Sequence, residues 1–315
     1  MTMMRFKDIA GLLGRPGLAV AVAAALICLS LRAEAAAARP AAFVSPEEAV
    51  AALIEAARAG SAASILKILG ADGKALVLSG DPVADDGGRK RFVAAYDKEH
   101  SIDRESPVKA VLIFGEGHVP FVIPLLRQGT LWHFDTKTGA REILARRIGR
   151  NELSAIEVCR AYVDAQRDYA SKDRQGDGLL EYAQHLVSSP GKHDGLNWPA
   201  QPGEEESPFG PLAARARAEG YGGKGKGAPY HGYYYKILTR QGAAAPGSAH
   251  DYVAHGRMIG GFALVAFPAR YRASGVMTFI VNQDGVVYEK NFGPDSARRA
   301  RAMTSFNPDS SWKKL

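Results

Sequence analysis

Residues 173 to 184 read DRQGDGLLEYAQ, and they carry the most direct suggestion of chemistry in the chain. A hard cation such as calcium takes carboxylate, amide and carbonyl oxygens. A twelve-residue loop can present them at alternate positions around a sharp glycine turn. On that template Asp173 takes position 1, Gln175 position 3, Asp177 position 5 and Gly178 the turn, with Leu180 apolar at position 8. Gln184 stands where a bidentate glutamate belongs, and Glu181 at position 9 is the substitute oxygen donor. Calcium is therefore the cofactor expectation, held by Asp173, Gln175, Asp177 and Glu181 with a dissociation constant of about 0.1 to 1 mM. The competing reading is that Asp and Gly end a helix and turn the chain.

Other reactive types are scattered. His231, Tyr233 and Tyr235 alternate onto one face if the segment is a strand, with Tyr230 nearby, an aromatic surface for a glycan or partner or else a packed interior stripe. His118 and His133 lie near Glu116 and Asp135. With Gln128 and Gly129 centring a hairpin, however, His133 faces Pro124, roughly 20 Å along the strand from His118 at about 3.3 Å per residue. His250, Asp251 and His255 have neither helical nor strand spacing for a shared metal. Gly220, Gly225 and Lys226 half-match a phosphate loop, but Gly227 replaces the magnesium-binding hydroxyl. No Gly-x-Ser-x-Gly supports serine hydrolysis. A hydrolytic site would have to be assembled from distant residues such as Glu116, His118, His231 and Asp251.

The elements that position these residues follow from length and patterning. A chain of 315 residues implies two cores. Arg5, Lys7 and Arg15, the apolar run LAVAVAAALICLSL (18–31) and AEA (33–35) predict a signal peptide over 1–35. The alternative is an uncleaved inner-membrane anchor, although the run is shorter than the roughly 20 residues of a spanning helix. Cleavage implies a periplasmic or secreted protein with no stable transmembrane helix. It removes Cys28, leaves Cys159 alone, and lowers the net charge from +7 to +5 by taking four basic and two acidic residues. That mild charge, without basic blocks interleaved with aromatics, argues against nucleic acid.

After a tether at 36–42, the first α+β domain spans 43–149. Ser45, Pro46 and Glu48 open its first helix as a capping box, and helices are followed by the extended runs VKAVLIFG, HVPFVIPLL and TLWHFD. The other α+β domain spans 150–295, with a long helix capped by Asn151, a Gly- and Pro-rich loop at 188–229 holding a short helix near LAARARAEG, and four strands of an antiparallel sheet. Residues 296–315 read as a tail.

The strings RNELSAIEVCRAYVDAQRDYA, GDGLLEYAQ, PGKHDGLNWPA, YHGYYYKILTRQG and GGFALVAFPARYRASGVMTFIVNQDGVVYEKNFG resemble a bacterial exported family known as DUF2950. The resemblance implies export and brings no catalytic residues. The element order of 43–149 resembles the cystatin or nuclear-transport-factor fold. That of 150–295 resembles the soluble head of type IV pilins, without the pilin processing motif. Together these predict a non-enzymatic binding or assembly module of the envelope, its partner a protein, glycan or lipid. An envelope hydrolase is the alternative.

Overall fold

A computed structural model describes residues 39–200, 203–222 and 227–315. The signal-peptide reading of 1–35 and Cys28 lie outside the described residues, as do Gly225 and Lys226 of the half-matched phosphate loop.

The architecture is α+β. Ser45 accepts the amide of Glu48 at 3.1 Å and opens α1 (Pro46–Arg58), while the Glu48 carboxylate reaches back to the amide of Val44. Helices α2 (Ala62–Leu69), α3 (Lys74–Val77) and α4 (Pro82–Lys98) complete one layer. Asp81 caps α4 by accepting from Ala84 N. Against this layer lies an antiparallel sheet of β1 (His100–Ser106), β2 (Lys109–Phe114), β4 (Leu125–Gln128) and β5 (Leu131–Phe134), with the short β3 (Val119–Pro120) paired to β2. Val50, Leu53, Ile54, Leu112, Leu125 and Phe134 form its buried core. Gln128 pairs with Leu131, so Gly129 and Thr130 make the turn, and His133 faces Leu126 rather than Pro124.

The expected helix capped by Asn151 begins far earlier. Helix α5 runs unbroken from Thr136 to Tyr169, capped by Asp135 accepting from Thr138 N, so the boundary drawn at 149/150 falls inside it. At about 1.5 Å per residue it is roughly 50 Å long and serves both cores. Its first turns bury Thr136, Gly139 and Ala140 and bring Ile143 to the first core, while Ala155, Cys159, Tyr162, Val163 and Tyr169 belong to the second. Asn151 is not a cap; its side-chain amide donates to Ser274 O at 2.8 Å.

Beyond α5 the chain crosses a long connection containing α6 (Gly210–Ala218) and enters β6 (Tyr233–Leu238) and β7 (Arg240–Gln241). Short strands β8 (His250–Asp251), β9 (Val253–Ala254) and β10 (Arg257–Met258) precede β11 (Ala263–Pro268), β12 (Thr278–Asn282) and β13 (Tyr288–Lys290). The residues expected to be a tail instead build α7 (Ser296–Ala302), whose Ala300 is fully buried, β14 (Ser305–Phe306) and β15 (Lys313–Lys314). The larger sheet of this half has the order β15-β13-β12-β11-β6, antiparallel throughout. Every residue of β11 and β12 is buried, because α5 covers one face and further chain the other.

Candidate functional site

The seam between the two cores is clipped by hydrogen bonds that start from buried groups. Asp81, 1% exposed, accepts through Oδ2 from Gly232 N at 2.8 Å and from the Tyr221 hydroxyl at 2.9 Å, while Oδ1 keeps the α4 cap. Arg147 of α5 donates to Ala75 O and Leu76 O, and Arg270 to Leu78 O. The Tyr221 hydroxyl is driven far above its ordinary pKa, first by burial and then by the Asp81 carboxylate.

A cavity of about 600 Å³ opens along this seam, between α4, α5 and the segment that follows α6. Ser154, Arg150 and Arg147 of α5, Arg91 of α4, and Arg215 and Glu219 from the α6 region line it with His231. His231 Nδ1 lies 2.5 Å from Ser154 Oγ, and its Nε2 lies 2.5 Å from Glu219 Oε2. A carboxylate only accepts, so Nε2 carries the ring proton; Nδ1 is then the lone-pair nitrogen and Ser154 Oγ–H donates to it. His231 has a left-handed φ of 48°, a conformation that costs a non-glycine residue about 1–3 kcal/mol and concentrates at functional sites. It is held there by the Gly232–Asp81 bond and by crowding: a Cβ on Gly232 would meet Asn151 Nδ2 at 2.5 Å and Ser274 Cβ at 2.8 Å. Tyr230 stacks on the imidazole, with ring centroids 4.1 Å apart.

Of the arginines in this cavity, Arg91 and Arg150 have no ion-pair partner among the described residues. Arg147 is held below its usual pKa first by burial, offset by Asp85 and reinforced by the like charge of Arg150. Arg215 is already engaged with Tyr230 and, at 4.0 Å, with Glu219.

The residues expected to form one aromatic surface do not share a surface. Tyr233 is wholly buried, donating to Met277 O, and the Tyr235 hydroxyl is sealed without a hydrogen-bond partner. Tyr230 and Tyr235 line one apolar cavity and His231 lines the seam cleft, while Tyr233 lines neither, because the strand begins at Tyr233 and the His231–Gly232 turn precedes it. The dispersed set of Glu116, His118, His231 and Asp251 is not brought together either. Glu116 pairs with Lys98 at 3.0 Å, His118 approaches Glu99, Asp251 pairs with Arg240, and His231 alone enters the cleft. Its partners Ser154 and Glu219 carry no local signal. Ser154 lies 77 residues from His231, on the polar side of a helix, and Glu219 ends an alanine- and arginine-rich one.

In the 173–184 loop Asp173 turns onto its own backbone, while Asp177 and Glu181 are joined by an arginine. Asp173 accepts the amides of Gln175, Gly176, Asp177 and Gly178, which holds its carboxyl below the usual range. Arg257 bridges Asp177 and Glu181, and Gln175 Nε2 donates to Glu181 Oε1 at 2.6 Å. Burial pushes the Glu181 carboxyl up. Among the described residues no group of three or more His, Cys, Asp and Glu is arranged to hold a metal ion. Arg174 closes the helix exit, donating to Tyr169 O while its guanidinium stacks on Tyr169 and Trp198.

A family model described as a protein of unknown function (DUF2950) matches residues 40–315. No curated protein matches the chain, and no solved structure does.

Proposed function

The chain belongs to the DUF2950 family, and from that premise we propose that it is an exported ligand-binding module whose seam cleft takes a small anionic molecule. One observation carries the reading: Arg91 from α4 and Arg150 from α5 line the same cavity with no carboxylate paired to either. Guanidinium groups at a cleft wall without a counter-ion favour a carboxylate or phosphate, to which they donate in forked pairs. Export is supported by the basic, apolar and small-residue succession in 1–35. Among the described residues no helix is long and apolar enough to cross a membrane.

The test is titration of the mature chain, residues 36–315, with citrate and with inorganic phosphate by calorimetry, alongside native mass spectrometry of protein purified from the envelope. Each charge-assisted hydrogen bond is worth about 1.5–3 kcal/mol. The double variant Arg91→Ala/Arg150→Ala should therefore bind at least about tenfold more weakly. Equal affinity of the double variant, or a wild-type protein that takes up no anion, sinks the reading.

A further inference from the structure

We propose that Ser154, His231 and Glu219 form an acyl-transfer relay, so that the cleft hydrolyses a small carboxylic ester rather than only binding a ligand. Hydrolysis rests on the relay; the preference for an anionic ester rests on the binding reading above.

The three groups meet the geometric requirements of an activated nucleophile: nucleophile and base are within hydrogen-bond reach, and the base is oriented by a third group. Ser154 Oγ to His231 Nδ1 and His231 Nε2 to Glu219 Oε2 are both 2.5 Å. They come from three separate elements, on a strained turn, at the wall of an open cavity. A purely structural imidazole needs neither the strain nor the opening. Either ring nitrogen can act as the base, so a hydroxyl on Nδ1 and a carboxylate on Nε2 serve as well as the reverse.

Water is the only co-reactant the reaction needs. Ser154 Oγ adds to the ester carbonyl carbon as its proton passes to Nδ1, and Glu219 stabilises the resulting imidazolium. Collapse breaks the bond to the leaving alcohol, which takes the proton from Nδ1 and leaves the acyl group on Ser154. Water then gives a proton to Nδ1 and adds to the acyl carbonyl; Oγ departs and takes that proton back, releasing the acid. Amides around Ser154 are committed within α5, so the positive charge available to the oxyanion is that of Arg150, one turn earlier on the helix, and Arg215, which line the same cavity.

The first experiment treats the wild-type mature chain with a neutral alkyl fluorophosphonate and locates the adduct by peptide mass spectrometry. A stoichiometric adduct on Ser154, lost in Ser154→Ala and slowed at least about a hundredfold in His231→Gln, is expected. No adduct on the wild-type protein overturns the relay. So does labelling that His231→Gln leaves unchanged while circular dichroism shows that variant folded. A further experiment measures hydrolysis of phenyl acetate and of 4-acetoxybenzoate, its carboxylate-bearing analogue. The expected result is turnover of both by the wild type, with the loss of kcat/KM in Arg91→Ala/Arg150→Ala about tenfold or more larger for 4-acetoxybenzoate than for phenyl acetate, since Arg150 also serves the oxyanion of either ester. An adduct with turnover of both esters and an equal loss for the two in the double variant keeps the relay and removes the anionic preference. Anion binding without any adduct keeps the binding module and removes the relay.

Discussion

Asp173 accepts four backbone amides in an exposed turn, and Asp81 accepts three donors in a buried seam. Both are short carboxylates at helix or loop ends, and sequence marks both as turn residues. What separates them is what they satisfy. For Asp173 the largest effect on the carboxyl is the amide of Gly178, and the folded pKa lies below the ordinary 3.8. The unfolded chain therefore takes up its proton first as pH falls. The stabilisation is complete above 3.8 and is lost as pH drops through the depressed folded value. The variant Asp173→Asn loses the acceptor facing Gly178. Its melting temperature should lie below that of the wild type at neutral pH, and the gap should close on acidification. Thermal unfolding of the pair from about pH 6 to pH 2.5 reads this directly, and a gap that widens in acid contradicts the assignment.

Helix α5 holds two glycines that behave oppositely. A Cβ on Gly139 would stand 2.3 Å from Val122 O and 2.6 Å from Ile123 Cγ1, whereas one on Gly149 would meet nothing within 4 Å. Gly139→Ala should cost about 1–3 kcal/mol, since backbone has to move. Gly149→Ala should gain about 0.5–1 kcal/mol from helix propensity and reduced chain entropy. Urea denaturation of both variants tests the contrast, and a loss at Gly149 would mean that flexibility there is used. The same glycines hid the helix's first half in the sequence: TKTGAREILARRIGR shows little apolar periodicity because its close contact is made by a glycine backbone and by Arg147 reaching carbonyls. Strand β1 was hidden for a related reason. His100–Ser106 is an edge strand with no fully buried residue, so it lacks the apolar and aromatic run that made β2 and β5 legible. The first helix was legible because its signal is local, with Ser45, Pro46 and Glu48 within four residues. Ser154, His231 and Glu219 had no such signal, since their proximity is a product of α6 folding back over α5.

At the scale of the whole molecule, two cores share one helix, and the cleft exists only where they meet. Core one and core two have separate buried clusters, so each would be free to melt alone were the seam weak. Three features oppose that: α5 is continuous through the boundary, Arg147 of α5 and Arg270 of the β11–β12 connection donate to carbonyls of the α3 region, and Asp81 binds Gly232 and Tyr221 across the seam. The Asp81 contact is the most sensitive, because a carboxylate there supplies two acceptor oxygens to three donors. An amide has one acceptor oxygen, so Asp81→Asn must abandon either the α4 cap or the seam, leaving buried donors unpaired at a cost of about 2–5 kcal/mol. The wild-type protein should therefore unfold in one calorimetric transition, and Asp81→Asn in two, with the earlier one accompanied by loss of anion binding. If the wild type already shows two transitions, the seam does not couple the cores, and the strained turn at His231 must be held by the second core alone. If Asp81→Asn melts once at a lower temperature, α5 by itself transmits cooperativity, and the cleft is a rigid feature of the molecule rather than one that opens as the cores separate.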